Sequence, residues 1–125
     1  MIAVRDLQIG DWVMNACNTP RKVYELMQDQ ITYEIEGGGL NTAHCNQLYP
    51  IPLTSDILVK NGFELGEKIG EVGVHIYRHT VYKMDDFSLE VYSDNTFHFA
   101  SIKLNYVHQL QHLLRLCGIE KELTI

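Results

Sequence analysis

The chain has 125 residues, ten Lys and Arg against sixteen Asp and Glu, a formal charge of −6 with histidine neutral, and 46% apolar residues. This is ordinary globular composition, which excludes a disordered or collagen-like chain and leaves room for one domain or two small lobes. No run approaches the roughly 18 to 20 apolar residues of a membrane-spanning helix. The negative charge opposes the counterion release that gives proteins affinity for phosphate backbones, and Arg21-Lys22 or Arg78, His79 and Lys83 make no basic stripe.

In the opening MIAVRDLQIGDWV, Asp6 and Asp11 fall where a secretory signal would be apolar. Cys17, Cys45 and Cys117 are odd in number, far apart and without a CxxC pair. Free thiols in a reducing cytoplasm are therefore expected, with neither a disulfide framework nor a zinc ribbon.

Short strands broken by turns fill the first fifty residues. Trp12-Val13-Met14 begins a strand after Gly10, and Asn18-Thr19-Pro20 is a turn signal. In RKVYELMQD, Val23, Glu25 and Met27 share one side and Tyr24 and Leu26 the other, the period of extended chain. Ile31, Tyr33 and Ile35 alternate with polar residues before Gly37-Gly38-Gly39, and a further strand runs from about Ala43 to Leu48, ahead of Pro50-Ile51-Pro52. This spacing predicts a small twisted SH3-like β-barrel over residues 1–52.

At Leu53 the pattern changes. Thr54 is an N-cap, Asp56 suits the first turn and Gly62 suits a left-handed stop, which predicts a helix from Ser55 to about Asn61. After Gly66, Gly70 and Gly73 come three alternating runs, VGVHIYRHTVYK, FSLEVYSD and TFHFASIKL, predicted as a three-stranded antiparallel meander. With Lys83 opposite Phe87 and Ser93 opposite Thr96, one face carries Tyr77, His79, Val81, Phe87, Leu89, Val91, His98, Ala100 and Ile102. The other carries Ile76, Arg78, Thr80, Tyr82, Ser88, Glu90, Tyr92, Phe97 and Phe99. From Asn105 to Cys117, Tyr106, Val107, Leu110, Leu113, Leu114 and Cys117 recur at spacings of three and four, the stripe of an amphipathic helix predicted to lie on the meander. The expected fold class is α+β, with a barrel lobe at 1–52 and a helix, meander and helix lobe at 53–125 packed together.

YPIPLTSDILVKNGFEL at 49–65 and NYVHQLQHLLRLCGIEKELTI at 105–125 resemble signatures of a family of short uncharacterised proteins of gut-bacterial genomes and mobile elements. The resemblance implies an architecture and a link to mobile elements, and it carries over no activity, cofactor, partner or functional residue.

No catalytic set converges in the sequence. His108 and His112 stand four apart, a spacing that can share a metal, but residue 109 is Gln and no third ligand follows, so solvated or capping histidines are the simpler reading. His79 and His98 flank Val91, which would put their backbones about 9 to 10 Å apart. Cys117 lies on the apolar stripe and reads as core. Cys45 is the one thiol of interest, although adjacent strand residues point to opposite faces, so His44 and Cys45 are not expected to form a dyad. Asp85-Asp86 and Glu34 with Glu36 read as a turn and a solvated face, and Gly37-Gly38-Gly39 lacks the Lys and helix of a phosphate loop.

Tyr82, Tyr92, Phe97 and Phe99, mixed with Arg78, are the candidate binding surface, because rings interleaved with charge are common at protein interfaces. The competing reading is that this face packs in the interior. The sequence thus points to a non-enzymatic interaction or adaptor module, with a protein partner or self-association and no cofactor or metal. A nucleic-acid-associated factor is the first rival, because rings on small barrels stack on bases. A metal enzyme using His44, Cys45, His108 and His112 is the second.

Overall fold

The computed structural model describes residues 2–125, with 70, 72 and 75–79 described by backbone alone. The protein is α+β, with two five-stranded antiparallel sheets and two α-helices among the described residues. Two compact units divide the chain. One is Met1–Pro52 with Tyr106–Leu123 and Ile125, and the other is Leu53–Asn105 with Thr124.

In the first unit the strands are β1 (Trp12–Met14), β2 (Pro20–Leu26), β3 (Gln30–Glu34), β4 (Leu40–His44) and β5 (Tyr49–Pro50), ordered β4-β3-β2-β1-β5. No pairing joins β4 to β5 among the described residues, so the expected closed barrel is instead an open sheet. β2 changes partner along its length: Pro20 to Lys22 pair with β1, and Val23 to Leu26 pair with β3. A register irregularity between Val23 and Glu25 breaks the period of two read from the sequence. Val23 is buried and Leu26 packs on the same core cluster, while Tyr24 is exposed, because a bulge adds a residue to one strand and resets its facing. Ile2, Leu7, Val13, Val23, Ile31, Tyr33 and Leu48 form that cluster.

The helix α2 (Val107–Leu116) also belongs to this unit. The helix therefore groups with the first fifty residues and not, as expected, with the segment that follows residue 52. The stripe holds for Val107, Leu110, Leu113 and Leu114, all buried, but Cys117 is exposed just past the helix end and is not core. The Val107 amide donates to the Ile51 carbonyl at 2.8 Å, and Pro52 bridges Tyr106, which brings the helix start back to the end of the first fifty residues.

The second unit starts with α1 (Ser55–Lys60), where the Thr54 hydroxyl accepts from the Ile57 amide and Gly62 takes φ 90. Five strands follow: β6 (Glu64–Val72), β7 (His75–Met84), β8 (Phe87–Val91), β9 (Phe97–Phe99) and β10 (Ile102–Leu104), ordered β10-β9-β8-β7-β6. The meander has five strands, not three. The glycine-containing stretch is itself β6, and TFHFASIKL folds back at Ala100, whose φ is 53.

Registers also differ from expectation by one residue. Met84 pairs with Phe87 around Asp85-Asp86, with Asp85 at φ 53, so the turn has two residues. At the next corner Tyr92 donates to the Thr96 carbonyl around Ser93-Asp94-Asn95, and Val91 pairs with Phe97. There the Thr96 hydroxyl donates to the Asp94 carboxylate and holds its pKa below the ordinary value. Because side chains alternate with period two, a one-residue shift moves a whole strand's residues to the other face.

Candidate functional site

Gly10 precedes β1 at φ 92, a conformation that favours glycine, and lets the chain turn so that Asp11 points inward. Asp11 is 0% exposed. One carboxylate oxygen, Oδ2, accepts from the Gln8 amide at 2.8 Å and from His112 Nε2, and Oδ1 accepts from Arg115 Nη1 at 2.9 Å. An ionised carboxylate only accepts, so the His112 proton sits on Nε2. The same Nη1 donates to Gln8 Oε1 at 2.7 Å. Beside them Gln111, also buried, accepts from the Trp12 amide at 2.9 Å and donates to the Gly10 carbonyl at 3.1 Å. Three polar residues on one side of α2, Gln111, His112 and Arg115, thus hold residues 8–12. A buried carboxylate is costly unless paired and hydrogen-bonded, and here each oxygen has a partner.

His108 lies one turn earlier and is 5% exposed. Its ring lies parallel to Tyr106 and edge-on to His112, at 5.8 and 5.7 Å, and its Nδ1 has no hydrogen-bond partner. Burial lowers its pKa; Asp11 and Asp6 pull against that, and His112 adds to it. Neither His108 nor His112 is the solvated histidine expected from the sequence. Their roles are packing and carboxylate pairing, and among the described residues no group of three His, Cys, Asp or Glu could hold a metal.

Next to this network is a groove of about 480 Å³ lined by Ile9, Gly10, Trp12, Lys22, Arg115 and residues 118–123. Trp12 Nε1 donates to the Leu123 carbonyl at 2.7 Å, and Lys22 Nζ meets the Glu122 carboxylate at 3.2 Å. A Cβ on Gly10 would stand 3.3 Å from Arg115 Nη2, so glycine lets the guanidinium cross the backbone here.

The aromatic residues singled out in the sequence do not form one surface. Tyr82 and Phe97 are buried at 9% and 5% exposure with ring centroids 6.0 Å apart, and Phe99 is half-buried and stacks on Phe87 at 5.0 Å. Tyr92 alone is exposed, at 45%, and stacks on His98. The corrected registers place Tyr82, Phe97 and Phe99 with Phe87 and Leu89 on the packed face and leave Tyr92 with Glu90 and His98 on the other. The side chains of Ile76, Tyr77, Arg78 and His79 lie outside the described residues.

His44 and Cys45, expected on opposite faces, do meet. His44 ends β4 and Cys45 opens a 3-10 turn (Cys45–Gln47), so alternation stops between them. Cys45 Sγ is 3.8 Å from His44 Nδ1, and His44 Nε2 is 3.6 Å from an Asp29 carboxylate oxygen.

No protein-family model, curated protein or solved structure matches the chain. Among the described residues, no helix is long and apolar enough to cross a membrane.

Proposed function

We propose that the protein is a non-enzymatic interaction module and that its first unit binds an extended acidic and aliphatic peptide segment of a partner protein in the Trp12 groove. One observation carries this reading: a segment of that chemistry from the chain itself lines the groove and already meets its polar groups. Residues 119–123, Ile-Glu-Lys-Glu-Leu, lie along it, with a main-chain carbonyl on the indole N–H and a glutamate on Lys22. A ring N–H for a carbonyl, a cation for a carboxylate and apolar walls are the few placed groups that fix an orientation in such sites. The buried Asp11 network is fully paired within the protein, which suits a scaffold more than a reacting centre.

Three free cysteines fit a reducing compartment, and the cytoplasm is the location we propose. The resemblance at 49–65 and 105–125 supports an accessory role in a mobile element.

The test is an array of eight-residue peptides probed with the full chain, each hit then titrated against the fluorescence of Trp12, the single tryptophan. Hits rich in Glu and Leu or Ile that shift the Trp12 emission and weaken at least about tenfold with Lys22→Glu support the reading. An array without hits, or hits indifferent to Trp12 and Lys22, refutes it.

A further inference from the structure

We propose that Cys45 is a modification site, a thiol whose proton His44 accepts so that it exchanges with small-molecule disulfides. The argument starts from the His44 ring. The Asn46 amide donates to His44 Nδ1 at 3.2 Å, so Nδ1 carries a lone pair and the proton of the neutral ring sits on Nε2, the atom that faces Asp29. The acceptor nitrogen is therefore the one 3.8 Å from Cys45 Sγ, and its single lone pair takes the thiol proton as the Asn46 amide lets go of it. Asp29 is held at that place by the backbone, since its carbonyl accepts from the Cys45 amide at 2.8 Å. Nucleophile, base and orienting carboxylate stand in the order that thiol chemistry uses. Cys45 is half-buried and packs on the core cluster, which limits its rotamers.

The step is balanced. The Cys45 thiol proton passes to His44 Nδ1 as the sulfur attacks one sulfur of a disulfide R–S–S–R. The S–S bond breaks, Cys45–S–S–R forms, and the departing thiolate takes the proton from His44 to leave as R–SH. Asp29 is a positioning residue that stabilises the charged ring between the two proton transfers.

The three cysteines of the intact chain make the test internal. Cys17 and Cys117 are exposed and Cys45 is half-buried, so access alone makes Cys45 the slowest. An unassisted thiol is only a few per cent thiolate at neutral pH, and nucleophilicity falls as thiol acidity rises, so assistance is worth about tenfold. Full-length protein is treated with oxidised glutathione, quenched at intervals and digested, and each cysteine is followed by mass spectrometry. The expected order puts Cys45 about tenfold ahead of the other two. In His44→Asn, which keeps a side chain able to cap the 3-10 turn, Cys45 falls to last while the unfolding midpoint holds. Asp29→Asn gives an intermediate rate. Cys45 slowest in the unaltered protein, or unchanged by His44→Asn, overturns the proposal, and the first of these results needs no variant to fold.

Discussion

Arg115→Met keeps the length of the side chain and removes the guanidinium that Asp11 Oδ1 and Gln8 Oε1 share at 2.9 and 2.7 Å. Asp11 is 0% exposed, so its carboxylate gains no water in exchange and keeps only His112 and the Gln8 amide. Breaking a buried pair from one side costs about 3–5 kcal/mol, and the two surviving partners put the expected loss near the lower end, about 3 kcal/mol. Asp11→Asn is the reverse case. The Arg115 and His112 side chains it would strand are 39% and 24% exposed and regain water. That loss is confined to charge-assisted hydrogen bonds, about 1.5–3 kcal/mol, and is the smaller of the two. Once Asp11 is neutral, Arg115→Met strands no buried charge, so the double variant loses less than the sum of the singles by about 1–2 kcal/mol. Urea unfolding followed by Trp12 fluorescence reads all three, because the Trp12 amide bonds Gln111 within the same unit. Arg115→Met milder than Asp11→Asn, or additivity within about 0.5 kcal/mol, would refute the reading of Asp11 as a buried charge that needs both partners.

Burial holds the His108 pKa below its ordinary 6.5, with Asp11 and Asp6 opposing and His112 assisting. As pH falls through about 6.5 the unfolded chain takes up the proton first, so stability present above that pH is lost below it, down to the folded value. Urea midpoints from about pH 8 to about pH 5 should decline with a component that His108→Phe removes, and an unchanged slope in that variant contradicts the assignment. For the aromatic residues, Phe97→Ala should cost about 3–5 kcal/mol and Tyr92→Ala under about 1 kcal/mol in chemical denaturation. Equal costs would mean that the faces are wrongly assigned.

What the sequence made legible was local. The Thr54 cap, the Gly62 stop and the spacing of Val107, Leu110 and Leu114 each depend on residues within a turn or two, and each appears in the structure at its place. What it hid depended on partners far along the chain or on a single residue of length. A two-residue turn at Asp85-Asp86, in place of the three-residue turn predicted from Met84, carried Tyr82 onto the same face as Phe87. The bulge at Tyr24 did the same within β2. Asp11, Gln111 and His112 carry polar side chains that a periodicity argument sends to solvent, yet Asp11 meets His112 and Gln111 meets the Gly10 carbonyl, each across about a hundred residues. The one usable signal was glycine before a charged residue at the start of a strand, which marks a turn without saying what the charge meets.

Two residues of α2 serve both the network and the groove. Arg115 commits Nη1 to Asp11 and Gln8 while Nη2 lies by Gly10, and Gln111 fixes the Trp12 main chain while lining the same cleft. Fixing side chains in advance lowers the ordering cost of binding, so the buried carboxylate, through Arg115, shapes the wall of the groove it does not itself line. Substitutions at Arg115 or Gln111 therefore change stability and binding together and cannot separate them. Lys22 can: its ammonium pairs with the exposed Glu122, a pair of the kind worth under about 1 kcal/mol. A peptide that loses affinity with Lys22→Glu while the unfolding midpoint stays put reports on the groove alone.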